Sequence, residues 1–301
     1  MRRPHSLRPG DMIGIAAPAG PILKKAAFQK GLRAIAAGGF RIAHGRGIFS
    51  RRRYLAGTAA RRSQELVKLL AAKQIDGVFL ARGGFGSLHL LPELYRQRRR
   101  LRPKIFMGYS DATALLLFFA EQLGWVTFHG PMLLNNLAGL KNGPLHKTLA
   151  LLEGKGTLQL WAPGLKVLKP GRALGPMLGG CLSLIVSLCG TPFQPSFRGK
   201  IIFLEDTGEK FYQVDRMITQ LKLAGCFNGV RGIVLGPFRE LGTDAASFFK
   251  ELLSWFDGPV VIGFPSGHCP HPRVLPFGVP TELNTKRKSL RLLRAPTVAH
   301  V

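Results

Sequence analysis

The chain has 301 residues, 46% of them hydrophobic, enough for a substantial core in one large or two ordinary domains. Lys and Arg total 43 against 16 Asp and Glu, a formal charge of +27, which predicts attraction to anionic partners and a salt-sensitive surface. The longest apolar run, Ala112 to Ala120, is far too short to span a bilayer, and Pro4, Pro9, Asp11 and Pro18 break up any signal-peptide core, so the chain reads as soluble and cytoplasmic.

The basic residues fall in short clusters: Arg51 to Arg53; Arg61 and Arg62; Arg96, Arg98 to Arg100, Arg102 and Lys104; and Lys286 to Lys288 with Arg291 and Arg294. Aromatic residues are not interleaved with them as a stacking platform for single strands requires. They read as a solvated basic surface rather than a nucleic-acid groove. A homodimer stays open, and no membrane partner is expected. The cysteines Cys181, Cys189, Cys226 and Cys269 contain no C-x-x-C pair, which argues against zinc and thioredoxin-type chemistry.

In chain order, Asp11 to Gly20 predicts a first buried strand ending in a Pro/Gly loop. A helix follows from about Lys24 to Ala37, stopped by Gly38 and Gly39. A strand is expected over Phe40 to Ala43, a helix over Arg61 to Ala72 and a strand over Gly77 to Ala81. The glycine-rich Arg82-Gly-Gly-Phe-Gly86 comes next, and another helix near Ser87. Lys104 to Gly108 reads as a short buried strand, Ser110 sits at a sharp turn, and an apolar helix runs on to Ala120. Val126 to Phe128 is a further strand. Alternation of this kind argues for a parallel sheet with helices on both faces, which binds ligands at the carboxyl ends of its strands. Arg82 to Gly84 and Ser110 both fall at such ends.

From Lys141 to Gly175, Gly and Pro recur and the pattern weakens, so the domains are expected at 1–150 and 175–301 with a connection at 151–174. The second half predicts a helix over Leu182 to Leu188, a strand over Lys200 to Asp206 and a helix from Gln213 to Ala224. Strands are expected at Gly232 to Leu235 and Pro259 to Gly263, then a loop from Pro265 running into a strand by Gly278.

Ser110 has two readings. One is a helix N-cap, its hydroxyl satisfying a backbone N–H. The other is a nucleophile on a strand-to-helix elbow, although Ala112 stands where G-x-S-x-G wants its last Gly. Acyl transfer by serine needs a base, an orienting carboxylate and donors for the tetrahedral oxygen. His268, His271 and His129 are candidates for the base. Glu205, Asp206 and Glu209 are candidates for the carboxylate. Arg82 to Gly86 lacks the phosphate-loop spacings, and its better use is one backbone N–H aimed at an oxyanion.

Several segments together resemble one family. They are Tyr54-Leu-Ala-Gly-Thr58, Ala81 to Gly86, Pro103 to Thr113, Thr127-Phe-His-Gly-Pro-Met132 and Gly175-Pro-Met-Leu-Gly-Gly180. Phe203-Leu-Glu-Asp206, Asp215-Arg-Met217, Gly267-His268 and Leu275-Pro-Phe-Gly278 complete the set. In this order they resemble the LD-carboxypeptidase family of serine peptidases over nearly the whole chain. The resemblance implies an α/β fold: an N-terminal parallel-sheet domain, flavodoxin- or amidotransferase-like, and a C-terminal mixed α/β domain. It implies Ser110 as nucleophile, His268 as base and Glu205 as third member, with the N–H groups of Asp111 and Gly84 as oxyanion donors and the site between the domains. It implies removal of the terminal D-alanine from murein tetrapeptide during cell-wall recycling, with no metal or organic cofactor. Arg82 is the candidate reader of the substrate carboxylate. An immunity-type peptidase cleaving a peptidyl-nucleotide antibiotic would use the same triad, and a basic binding protein would leave it unused. A class I amidotransferase-like domain would need Cys at the elbow. Cys181 stands where the family commonly has Asn, and Phe85 where Tyr is usual.

Overall fold

Short apolar runs separated by amphipathic helices build a parallel sheet in the first half of the chain. The computed structural model describes residues 1–137 and 142–300; Lys141, where the Gly/Pro-rich stretch opens, falls outside them. The elements are β1 (Met12–Ala16), α1 (Lys25–Ala37), β2 (Arg41–His44), α2 (Ala59–Ala71), β3 (Gly77–Leu80), α3 (Leu91–Arg96), β4 (Ile105–Gly108), α4 (Thr113–Leu123), β5 (Thr127–His129) and α5 (Asn142–Leu152). The strands pair in the order β2-β1-β3-β4-β5, all parallel. This is the doubly wound order in which the chain reverses direction across the sheet between β1 and β3, opening a crevice at their carboxyl ends.

The rest of the chain supplies β6 (Lys166–Lys169), β7 (Arg172–Cys181), α6 (Leu182–Leu188), β8 (Ile201–Asp206), α7 (Phe211–Leu223), β9 (Gly232–Phe238), α8 (Ala245–Leu252), β10 (Val260–Ile262), β11 (Leu275–Phe277), β12 (Pro280–Asn284) and β13 (Ser289–Leu292). A second sheet runs β13-β12-β7-β8-β9-β10-β6, with β7 to β10 parallel and the outer strands antiparallel. β11 leaves this half of the chain and pairs antiparallel with β5, closing the edge of the first sheet. A cut at 174/175 therefore leaves one strand of the first sheet in the second segment. The stretch read as a connection also carries α5's last turn, β6 and the start of β7.

α4 explains how the two halves meet. It is apolar on every side, with Thr113 through Ala120 all buried, because it packs against β4 and β5 on one side and β7 and α6 on the other. Gly124, at φ 65°, ends it. β7 approaches α4 closely: a Cβ on Gly180 would stand 2.5 Å from Thr113 Oγ1, and that hydroxyl accepts the Cys181 N–H at 3.0 Å.

Two members of the basic clusters are not on the surface. Arg62 is buried and donates to the Pro18 and Gly86 carbonyls. Lys104 is buried against the Ala72 and Ile75 carbonyls, and burial pulls its ammonium down to about 8.

Candidate active site

β4 ends at Gly108, where even a Cβ would press on Leu80 at 2.9 Å. Two residues later Ser110 adopts φ 64°, the left-handed region that L-residues with a Cβ avoid. A single 3-10 turn, Ser110–Ala112, then runs into α4. The hydroxyl's hydrogen-bond partner is His268 Nε2, at 3.1 Å, rather than a helix N–H, so the geometry does not use it as an N-cap.

Glu205 and Asp206 are neighbours at the end of β8 and turn to opposite faces. Glu205 is fully buried. Its Oε2 accepts the His268 Nδ1–H at 2.7 Å and the His268 backbone N–H at 3.1 Å. The backbone contact requires Gly267, at φ 91°, because a Cβ there would collide with the Glu205 carboxylate. Burial pushes the Glu205 carboxyl up, but the imidazoles of His129 and His268 outweigh it and hold it down to about 2. His129 Nε2 stands 3.8 Å from Glu205 Oε1, both atoms buried. Burial alone would lower His268, but the Glu205 carboxylate raises it above the usual imidazole value.

Asp206 serves a different purpose. It accepts the Ser183 and Thr207 N–H groups, both at 2.8 Å, and the Cys181 thiol at 3.3 Å, so it fixes the start of α6. Burial pushes the Cys181 thiol far up, which keeps it a neutral donor. Neither Glu209 nor His271 hydrogen-bonds to Ser110, His268 or Glu205; His271 is exposed and lines a separate cavity of about 690 Å³.

The glycine-rich loop lies against the serine. A Cβ on Gly83 would stand 3.1 Å from Ser110 Oγ. Gly84, at φ 126°, directs an N–H that bonds to no described residue. The Asp111 N–H lies in the first turn after Ser110, where helical N–H groups have no intrahelical acceptor. The buried Asp111 carboxylate accepts the Gly86 N–H at 3.2 Å and the Ser87 N–H at 2.9 Å, tying the loop to the elbow. Beside the loop is a cavity of about 400 Å³ lined by Gly20, Pro21, Tyr54, Arg82, Gly84 and Phe85. It opens at the crevice between β1 and β3. Arg82 donates to the Gly83 and Pro21 carbonyls and pairs with no carboxylate among the described residues.

A hydroxyl donating to an imidazole, whose other nitrogen donates to a buried carboxylate, is an arrangement that can make oxygen a nucleophile. The LD-carboxypeptidase N-terminal domain matches residues 13–130 and the LD-carboxypeptidase C-terminal domain residues 174–283. The chain belongs to the LD-carboxypeptidase family. A probable murein peptide carboxypeptidase of Bacillus subtilis is 33% identical over 95% of this chain and 93% of its own length. The murein tetrapeptide carboxypeptidase of Pseudomonas aeruginosa is 29% identical over 91% of this chain and 94% of its own. Among solved structures, the microcin C7 self-immunity protein MccF in complex with aspartyl sulfamoyl adenosine superposes with a TM-score of 0.90 at 25% identity, covering 99% of this chain and 100% of that one. As a member of the LD-carboxypeptidase family the chain is a peptidase with the mixed α/β fold of these relatives.

The structure brings Ser110, His268 and Glu205 together across the two halves, with Gly84 and Asp111 beside the serine and Arg82 at the adjoining cavity. Sequence reasoning singled out His129 without linking it to Glu205, and missed Ser266, whose hydroxyl is 2.9 Å from His129 Nδ1. A histidine three residues before a buried methionine carries no signal of a partner 137 positions away. Among the described residues no three His, Cys, Asp or Glu side chains gather so as to hold a metal ion, and no helix is long and apolar enough to cross a membrane.

Proposed function

We propose that this LD-carboxypeptidase is a serine enzyme that hydrolyses the L,D amide before the terminal D-alanine of murein tetrapeptide. The observation that carries the reading is the strained Ser110, its hydroxyl on His268 Nε2 at 3.1 Å, with His268 Nδ1 on buried Glu205 at 2.7 Å. His268 takes the Ser110 proton as Oγ attacks the carbonyl carbon. The N–H groups of Gly84 and Asp111 receive the oxyanion that develops on the carbonyl oxygen. The imidazolium, held by Glu205, then gives its proton to the leaving D-alanine nitrogen, and water hydrolyses the acyl-enzyme by the same base. Arg82, free of any acidic partner among the described residues, stands beside the cavity and reads the terminal carboxylate.

The names of the Bacillus and Pseudomonas relatives support murein peptide as the substrate. Four cysteines in 301 residues, with no C-x-x-C pair, fit a reducing compartment, and a murein peptide substrate there fits cell-wall recycling. A second reading, cleavage of an aminoacyl-nucleotide antibiotic, is favoured by the likeness to MccF and by the edge-on pair Tyr54 and Phe85 at the cavity, 5.8 Å apart, a surface on which a purine stacks.

Incubation with murein tetrapeptide, with mass detection of D-alanine, tests the first reading. Wild type should release it, and Ser110→Ala should lose about 10⁴-fold or more in kcat while melting at nearly the same temperature. Cleavage of an aminoacyl sulfamoyl nucleoside with murein peptide untouched would transfer the assignment to the second reading. Equal turnover by Ser110→Ala would remove the serine mechanism.

A further inference from the structure

His268 uses one oxygen of Glu205, and the other faces a second histidine. Glu205 Oε1 and His129 Nε2 are 3.8 Å apart, both side chains are fully buried, and neither atom has a hydrogen-bond partner among the described residues. The far side of the His129 ring settles where its first proton lies. Nδ1 is 2.9 Å from Ser266 Oγ, and Ser266 Oγ is 2.8 Å from the Arg273 carbonyl oxygen. A carbonyl can only accept, so the single Ser266 hydroxyl proton goes to Arg273. Toward His129 the Ser266 oxygen is therefore an acceptor, and Nδ1 carries a hydrogen. If that were the only ring proton, the bare Nε2 lone pair would face a carboxylate oxygen at close range. A second proton, on Nε2, converts that repulsion into an attraction between opposite buried charges 3.8 Å apart.

We propose that His129 is a positioning residue for the reacting group: an imidazolium, its Nε2–H directed at Glu205 Oε1, that holds the carboxylate between two imidazoles. This rests on the reading of Ser110, His268 and Glu205 as the catalytic triad. No neighbouring group among the described residues supplies the cation instead. The aromatic rings of Tyr109, Phe203 and Phe277 surround His129. Tyr109 and Cys269 are raised by burial and stay neutral, as does Cys181 at the end of β7. Asp206, next along β8, is engaged by Ser183 and Thr207, and Arg239, after β9, is exposed.

The consequence concerns His268. A standing positive charge on one side of Glu205 offsets part of the carboxylate's pull on the other imidazole. His268 then spends more of its time neutral and able to accept the serine proton. Removing the His129 charge should move the acid limb of kcat/KM upward by about one pH unit, the scale of a unit charge several ångströms away in a partly polar interior.

Two measurements test this. Nitrogen-15 NMR of the wild-type protein should show both His129 ring nitrogens protonated at pH 7; an unprotonated His129 Nε2 overturns the proposal. His129→Gln, which keeps a side-chain amide without the charge, should shift the acid limb up by about one unit. Ser266→Ala, which frees Nδ1 to lose its proton, should shift it by less. A lower melting temperature and lower kcat with an unmoved acid limb would mean a merely structural histidine and also overturns it. If His129→Gln fails to fold, the wild-type nitrogen signals still decide. Failure to turn over both murein peptides and aminoacyl sulfamoyl nucleosides would sink the triad reading, whereas the nitrogen signals report the His129 charge whether or not the enzyme turns over.

Discussion

The two halves of the site are held by different means. On the Ser110 side the geometry is backbone geometry: a left-handed serine, a glycine loop with positive φ, and a buried carboxylate, Asp111, that binds two backbone N–H groups. On the His268 side the geometry is a set of side-chain contacts around one carboxylate, Glu205, and its two imidazoles. The left-handed serine and the glycine turns do not titrate and Asp111 braces only the loop, whereas His268 on Glu205 titrates in contact with the serine hydroxyl. Position is thus set by the first half and reactivity by the second. Substitutions on the His268 side should alter kcat and its pH dependence, and those on the Ser110 side, removal of the reacting hydroxyl itself excepted, should alter binding or stability.

The largest effect that sharpens this contrast is expected from Glu205→Gln. It leaves the imidazole without its anion and should lower kcat by about 10⁴-fold. Glu205 sits at about 2 when folded against an ordinary 4.5, so its contribution to stability is complete above pH 4.5 and lost as pH falls through 2. Between those values the unfolded chain binds a proton that the folded chain refuses, so stability rises with pH. The wild-type melting temperature should fall steeply from pH 4.5 to 2, and the Gln variant should show a flatter fall. Gly267→Ala comes next. Its Cβ collides with the same carboxylate and would push His268 out of line, at about 10²-fold in kcat. Equal activity in that variant would show that the loop, not the carboxylate, sets the ring. Arg82→Ala belongs to the other half and should act on binding, raising KM about tenfold with the smaller change in kcat. A change confined to kcat would break the division between the halves.

The parallel sheet and the elbow were legible because each leaves a local trace, whereas His268 and Glu205 were singled out from His129, His271, Asp206 and Glu209 only by the family resemblance. β1, β3 and β4 are unbroken apolar runs, and Gly108, Gly83 and Gly84 mark turns that need a missing side chain. β7 was not legible. Gly175, Pro176, Gly179 and Gly180 carry no strand signal, yet the glycines are demanded by neighbours remote in sequence: a Cβ on Gly179 would collide with the Phe203 carbonyl, and one on Gly180 with Thr113. β11 was expected as a strand, but nothing in Leu275-Pro-Phe277 announces that it crosses to β5. The Arg62 and Lys104 side chains, counted among surface charge, are internal braces whose acceptors are backbone carbonyls. Carbonyls have no sequence signature. The link from His129 through Ser266 to Arg273 was hidden for the same reason, since its last acceptor is a main-chain oxygen.

The smallest effect bears on the strain at Ser110 itself. Holding an L-residue at φ 64° costs about 1 kcal/mol or somewhat more, and glycine escapes that cost. Glycine also brings greater freedom to the unfolded chain, which opposes it by about 0.5–1 kcal/mol. Comparing Ser110→Gly with Ser110→Ala cancels the lost hydroxyl and its bond to His268, because both lack it. The difference then reports the elbow alone, and Ser110→Gly should be the more stable by about 0.5 kcal/mol. Urea midpoints at equal m-values measure it. If Ser110→Ala proves equally stable or more so, the elbow relaxes in solution, and Ser110 is then aimed at His268 by the imidazole rather than by its own backbone. That result would dissolve the contrast between a half that positions and a half that reacts.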